Sequence, residues 1–237
     1  MSNSIFVSSS PVTLLGGGQV IAADLTDALT IAPKLVAADG GLRHAVEADV
    51  VPDVVLGDLD SASPQMLARV PPARVHRISE QQSTDFDKAL RSVDAPVAVG
   101  VGFCGGRVDH QLAAFHALLV HADRPCILVA EQEVIVIAPP ALALEMAAGE
   151  TVSLYPLVPV AGRSTGLEWP IDGLAFDPAL FVGTSNRALG AITLGMEHAG
   201  MLLILPKRYL RPLVAHFMQG GARWPARAAQ HISPPPR

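Results

Sequence analysis

Short β-branched runs alternate with helical patterns through the first 138 residues, the signature of a parallel α/β sheet. The runs predict strands at residues 12–15, 35–38, 54–56, 75–78, 97–103 and 127–130, with 134–137 as a further candidate. Helical patterns lie between them at 43–48, 64–69, 85–93 and 109–122. Two of these carry start signals. Ser63 precedes Pro64, and Thr84 is followed three residues later by Asp87, close to a capping box. Past Pro139 the helical patterns thin out. Turn residues at Asp172-Gly173 and over 183–186 separate short runs at 151–154, 191–194 and 201–205, which read as antiparallel strands. The expected organisation is an α/β domain over residues 1–138, a β-rich domain over 139–218 and a tail over 219–237. The tail carries Arg223, Arg227 and Arg237 but no acid, ends in Ser-Pro-Pro-Pro-Arg, and reads as a disordered, solvated end.

Composition narrows the class. Of 237 residues half are apolar and 16% are charged, so a large core is available and global disorder is excluded. The net charge of −5 argues against a general nucleic-acid binder. The longest apolar stretch, 134–148, is interrupted by Pro139, Pro140 and Glu145 and falls short of a membrane span. The start, Met1-Ser-Asn-Ser, lacks the basic region of a secretory signal. Cys104 and Cys126 have no metal or redox spacing and suggest a reducing compartment. The expectation is a soluble cytoplasmic protein with no membrane and no nucleic-acid partner.

The chemistry collects where the predicted strands end. In an open parallel sheet, ligands bind outside the carboxyl ends of the strands. Five such ends carry unusual residues: Gly16-Gly17-Gly18, Asp39-Gly40-Gly41, Gly57-Asp58-Leu59-Asp60-Ser61, Ser83-Thr84-Asp85, and Gly105-Gly106-Arg107-Val108-Asp109-His110. Half of the 22 acidic residues fall between positions 39 and 109. Carboxylates crowded together repel unless a cation joins them, and Mg²⁺ with phosphate oxygens is the usual solution. Asp58 and Asp60, two apart at a strand end, can share one hard cation; the alternative is a turn capped by Asp58 and Ser61. Asp85 faces the same edge, although a carboxylate after a Thr cap also serves a helix N-terminus. The glycines before Arg107 let backbone approach a ligand, and the guanidinium can grip phosphate or fix a carboxylate. His110, His116 and His121 lack the spacing of a zinc pair. The dinucleotide fingerprint fails at Ile21, and none of Lys34, Lys88 and Lys207 follows a glycine, so no P-loop is present.

In this order the motifs resemble the thiamine pyrophosphokinase family. The likeness extends past the first domain into Ser164-Thr165-Gly166-Leu167-Glu168-Trp169 and Thr184-Ser185-Asn186. The resemblance implies an N-terminal parallel-sheet nucleotide-binding domain followed by a C-terminal all-β sandwich, joined in a homodimer with shared active sites. It implies Mg²⁺-dependent transfer of pyrophosphate from ATP to the thiamine hydroxyl. Carried over, Asp58, Asp60, Asp85, Arg107 and Asp109 would be catalytic, with Asp58, Asp60 and Asp85 at the metal. Asp39, Gly40, Gly41, Ser61, Thr84, Arg107 and His110 would meet ATP. Thr165, Trp169, Ser185 and Asn186 would meet thiamine, Trp169 by stacking, where the rival reading is a core tryptophan. Gln82 stands where members of the family usually carry Asp. Two other functions fit the same acidic edge: a diphosphokinase for another hydroxymethyl heterocycle such as a pterin, and a non-catalytic nucleotide or thiamine sensor.

Overall fold

The computed structural model describes residues 4–226. Its first part contains β1 (Phe6–Val7), β2 (Val12–Leu15), α1 (Ala22–Ile31), β3 (Lys34–Ala38), α2 (Gly41–Glu47), β4 (Val54–Gly57), α3 (Pro64–Leu67), β5 (Val75–Arg77), α4 (Asp85–Ser92), β6 (Val93–Asp94), β7 (Ala98–Val101), α5 (Val108–Val120) and β8 (Cys126–Val129). Then follow β9 (Glu133–Ile137), β10 (Ala141–Leu144), β11 (Thr151–Pro156), β12 (Val160–Leu167), β13 (Ala175–Phe176), β14 (Gly183–Met196), β15 (Met201–Pro206) and α6 (Leu210–Met218). Both predicted helix starts form: Ser63 accepts the Met66 N–H and Thr84 accepts the Asp87 N–H, each at 3.3 Å.

Strands β3, β4 and β5 pair in parallel, as do β2, β7 and β8. The two groups meet where β2 lies beside β3, and there the Thr13 hydroxyl donates to the Ala32 carbonyl at 2.7 Å. From β2 the chain steps outward through β3, β4 and β5, then returns to the other side of β2 as β7. The direction of winding reverses at β2, the place where open α/β sheets bind ligands.

At β9 the sheet changes character without breaking. β9 pairs antiparallel with β8 on one side and with β15 on the other, and pairing continues through β11 to β14, β12 and β13. The hydrogen-bonded network therefore runs through residue 139, where composition changes. The 14-residue β14 pairs with β11 near its start, and with β10 and β12 through its second half. Apolar side chains fill both faces. One cluster joins Leu25 and Ala28 of α1 to Leu213, Val214 and Phe217 of α6; the other joins Phe86 and Leu90 of α4 to Ala114 and Leu118 of α5.

Three features depart from the sequence expectation. Helix α1 forms without a side-chain cap at Ile21, so its start has no sequence signature. Helix α6 follows the last strand in what reads as purely β-rich sequence, although Leu210, Leu213, Val214 and Phe217 do form a helical stripe. Within residues 219–226, expected to begin a disordered tail, Trp224 packs against the core. The half-buried Trp224 indole donates to the Ala138 carbonyl at 2.9 Å, and Arg223 donates to the Phe217 carbonyl at 2.8 Å. An aromatic ring that buries its face and satisfies its N–H outweighs the polar composition around it. Residues 227–237 lie outside the described residues.

Candidate active site

Four acidic residues from three of the predicted strand-end segments converge. Asp39 closes β3, Asp58 and Asp60 follow β4, and Asp85 opens α4. The geometry at β4 is built by its neighbours. Leu59 adopts a left-handed φ of 63° and buries its side chain with Ala37, Leu42 and Val55. Anchoring Leu59 below leaves Asp58 and Asp60 free on the opposite side. Asp39 also has a positive φ, 41°, beside Gly57. A Cβ at Gly57 would lie 2.9 Å from the Asp39 Cβ, and the φ of 141° there suits glycine, so this close approach requires it. Backbone strain at two adjacent acidic turns marks a site whose geometry is held by its surroundings.

The cleft so formed encloses about 580 Å³. Asp39, Gly40, Asp58, Asp60, Ser61, Thr84, Asp85, Arg107 and His110 all line it, together with Gly17, Gly18 and Gly102 at the turns after β2 and β7. It continues into an open groove of about 860 Å³ past Gln19, His44 and Glu131. Asp39, Asp58 and Asp60 each place a carboxylate oxygen within 4.8 Å of the others. Asp39 is buried, and its Oδ1 has no hydrogen-bond partner. Hard oxygen donors at this spacing, one of them buried and unsatisfied, fit a divalent cation such as Mg²⁺.

Two residues join the site that the strand-end pattern does not supply. The Gln81 amide donates to Asp58 Oδ2 at 2.9 Å, and this bond, against some burial, holds the Asp58 carboxyl below its usual range. Lys88, only 2% exposed, lies 3.4 Å from Asp85 and 3.9 Å from Asp58. The signal for Lys88 is its position one helical turn after Asp85 on α4. Asp85 titrates in the other direction: burial first, then the nearby Asp39 charge, push its carboxyl up. Gln82 uses its backbone N–H on Glu80 at 3.1 Å, while its neighbour Gln81 turns toward Asp58.

Other expected residues are placed differently. Asp109 does not line the cleft. It forms a forked ion pair with Arg107, at 3.1 and 2.6 Å, which pulls its carboxyl down to about 2. Gly41 faces away, against the Leu15 carbonyl. Cys104 and Cys126 are free and buried, and burial pushes Cys104 up to about 12, so neither is a thiolate at neutral pH.

Thr165, Trp169, Ser185 and Asn186 gather on β12, the loop after it, and β14. None lines the acidic cleft of this chain. Asn186 organises this second patch: its amide donates to the Trp169 carbonyl at 2.7 Å and accepts the Trp169 and Arg187 N–H groups at 3.2 and 2.8 Å. Trp169 itself is 53% exposed, so it is not a core tryptophan. Ser185, at a left-handed φ of 64°, donates its N–H to the Ser153 hydroxyl at 2.9 Å. The Thr165 and Thr193 hydroxyls bond across β12 and β14 at 2.7 Å.

Residues 25–129 match the family model described as the thiamin pyrophosphokinase catalytic domain. The chain is 24% identical over 154 residues to thiamine pyrophosphokinase 3 of Oryza sativa subsp. japonica, a match spanning 57% of this chain and 58% of that protein. Among solved structures it resembles thiamin pyrophosphokinase from Candida albicans, with TM-score 0.71 and 17% identity over 87% of this chain and 96% of that one. It also resembles the enzyme from Geobacillus thermodenitrificans, with TM-score 0.67 and 25% identity over 83% and 96%. The mixed α/β architecture with one large sheet is shared with these structures.

Proposed function

We propose, from the match of residues 25–129 to the thiamin pyrophosphokinase catalytic domain, that this chain transfers pyrophosphate from ATP to the hydroxyl of thiamine, giving thiamine diphosphate and AMP. The observation that carries the reading is the convergence of Asp39, Asp58, Asp60 and Asp85 with three glycine turns at the point where the sheet reverses its winding. On this reading residues 1–138 form the ATP-binding α/β unit and residues 139–218 a thiamine-binding β-sandwich. Asp58 and Asp60 would hold Mg²⁺, which when bound supplies positive charge to the phosphate oxygens. Without side chains, the glycine turns leave room for the phosphate chain to approach and offer it backbone N–H groups. Arg107 exchanges Asp109 for phosphate and takes up the charge developing on the transferred group. One carboxylate of the cleft accepts the hydroxyl proton as oxygen attacks the β-phosphorus in line. The open groove beyond Gly105 accommodates the rest of the nucleotide. The two free cysteines accord with a reducing, cytoplasmic setting.

The thiamine-facing patch and the acidic cleft do not share a lining residue within one chain. We therefore propose a homodimer in which each site takes the acidic edge from one subunit and the Trp169 patch from the other. The first test is direct: purified protein with ATP, Mg²⁺ and thiamine should yield AMP and thiamine diphosphate in equal amounts. ADP with thiamine monophosphate, or binding without turnover, would overturn the assignment. The second test mixes inactive Asp60→Asn and Trp169→Ala proteins under conditions where differently tagged subunits are shown to exchange. Half the dimers are then mixed, each with one intact site, and activity should recover to about one quarter of wild type. Exchange without recovery would place the whole site in one chain.

A further inference from the structure

The acidic cleft opens into the groove beyond it through a neck, and six of the described residues line both spaces: Gly17, Gly18, Gly102, Gly105, Gly106 and Arg43. Five of the six are glycine. Where the turns touch, nothing larger fits: a Cβ at Gly18 would lie 2.6 Å from the Gly102 carbonyl oxygen, and one at Gly17 3.0 Å from the Gly40 Cα. Among these six, Arg43 is therefore the one residue that brings a charge, or any side chain beyond a hydrogen atom. Its Nη2 lies 3.4 Å from His44 Nε2, which itself donates to the Gly18 carbonyl at 2.9 Å, so the guanidinium stands on the side of the glycine turn. Its ion-pair partner Glu47 is 3.9 Å away, and the two side chains are 56% and 62% exposed. An exposed pair at that distance holds weakly and gives way to a better anion.

With the reacting phosphates in the cleft and the nucleoside in the groove, the α-phosphate lies in the neck. Resting on the reading of a pyrophosphoryl transferase, we infer that Arg43 binds the α-phosphate and is the catalytic residue for the leaving group, while Arg107 serves the transferred group. The thiamine hydroxyl oxygen forms its bond to the β-phosphorus. The bond from that phosphorus to the oxygen bridging it to the α-phosphate breaks, the electron pair stays on the phosphate of AMP, and the hydroxyl proton goes to a carboxylate of the cleft. Charge on the α-phosphate grows as the bond breaks, so a guanidinium there stabilises the transition state more than bound ATP. Its planar fork spans two phosphate oxygens, which a lysine ammonium does not reproduce. A cation in the neck suits attack at the β-phosphorus; attack at the γ-phosphorus would build the leaving charge on the β-phosphate, inside the cleft.

Calorimetric titration of the full chain with AMP and with adenosine, at fixed Mg²⁺ and ionic strength, isolates that phosphate. Wild type should bind AMP about tenfold or more tightly than adenosine. Arg43→Gln should lose about tenfold or more in AMP affinity and stay within about twofold for adenosine. Arg43→Lys should fall between, and Arg107→Gln should keep AMP affinity within about threefold of wild type. In the transfer assay, kcat of Arg43→Gln should fall by about tenfold or more with the KM for thiamine unchanged. A wild type that binds AMP no better than adenosine would overturn the placement of the α-phosphate, as would AMP binding indifferent to Arg43 or equally sensitive to Arg107. An unchanged kcat would overturn the catalytic role. Arg43-dependent AMP binding without thiamine diphosphate synthesis refutes the transferase reading while the α-phosphate site stands, and synthesis with AMP binding indifferent to Arg43 refutes this inference alone.

Discussion

Asn186→Ala separates positioning from chemistry in the second patch. The Asn186 side chain is buried and closes three hydrogen bonds, two of them to the backbone of Trp169. Each such bond contributes about 1 kcal/mol net. Trp169 is 53% exposed, so water can reach part of the released backbone, and the loss should total about 2 kcal/mol rather than three. For a chain of this size that corresponds to a fall in Tm of about 4–8 °C. Aromatic stacking is worth about 0.5–1.5 kcal/mol, so a loosened Trp169 should raise the KM for thiamine by up to about tenfold with kcat little changed. Asn186→Asp is the sharper variant. It still accepts both N–H groups, but it turns a carboxylate toward the Trp169 carbonyl, where an N–H stood. Ionisation is then disfavoured in the folded state and the folded pKa is raised. Stability should be lost as pH rises through that raised value and recovered below the unfolded one. Urea denaturation across pH and thiamine saturation curves check both variants. An alanine variant with unchanged Tm and unchanged KM would refute the idea that Asn186 holds Trp169 in place.

Asp58→Asn and Asp60→Asn should each cut turnover by about a hundredfold or more with the circular dichroism spectrum retained; near-normal turnover would leave the turn-capping alternative standing. The two glycines after Asp39 should respond to very different degrees. A Cβ at Gly41 would sit 1.9 Å from the Leu15 carbonyl oxygen, whereas at Gly40 the nearest atom is Gly17 Cα at 3.3 Å. Gly41→Ala should cost about 3 kcal/mol or more, because only backbone can move, and Gly40→Ala under about 1 kcal/mol; similar urea midpoints for the two would contradict this geometry. Acid should weaken the fold. Asp58 is held low by Gln81 and Glu80 by the Ser83 hydroxyl. At Asp87 burial opposes ionisation, but the His121 bond at 2.8 Å and Arg91 outweigh it. Depressed carboxylates contribute stability above their unfolded values, near pH 4, and lose it as pH falls through the folded ones. The urea midpoint should therefore drop as pH falls from about 5 to 3, and an unchanged midpoint would show that these pairs contribute nothing.

Asp58, Asp60 and Thr84 can be found from sequence because local rules place them. A strand end sends alternate residues to one side, and a cap must precede its helix. Gln81 and the orphan oxygen of Asp39 cannot be found that way, and the spacing of Lys88 from Asp85 does not reveal its burial. Whether Gln81 or Gln82 turns inward depends on how residues 79–83 are held, and that is decided by Glu80, which accepts from Ser83 and Arg91. Burial of Lys88 depends on α4 packing over β3 and β4, a contact between distant segments. The same limit explains the sheet. Pro139 and Pro140 end β9 in the sequence pattern, yet pairing passes sideways through β15, which arrives more than sixty residues later. The ion pair of Arg107 with Asp109 at 2.6 Å is likewise visible only in three dimensions.

If the cleft takes ATP as proposed, the pairing pattern around it also constrains how the nucleotide enters. Each cation that lines it is already engaged: Arg107 with Asp109, Lys88 with Asp85 and Asp58, and Arg43 with Glu47 at 3.9 Å. The carboxylates of Asp39 and Asp60 face the same space without a basic partner among the described salt bridges. A tetra-anionic nucleotide approaching without metal therefore meets uncompensated negative charge, and like charges about 4–6 Å apart repel strongly in a partly desolvated site. On the proposed reading, the divalent cation accompanies ATP or precedes it. Calorimetric titration with ATP in excess EDTA should show binding at least about tenfold weaker than titration with MgATP at the same ionic strength. Asp39→Asn and Asp60→Asn should each narrow that gap by strengthening metal-free binding while weakening the MgATP complex. If metal-free ATP binds the wild type as tightly as MgATP, the acidic residues do not face the phosphates, and the polarity assigned to the cleft is wrong.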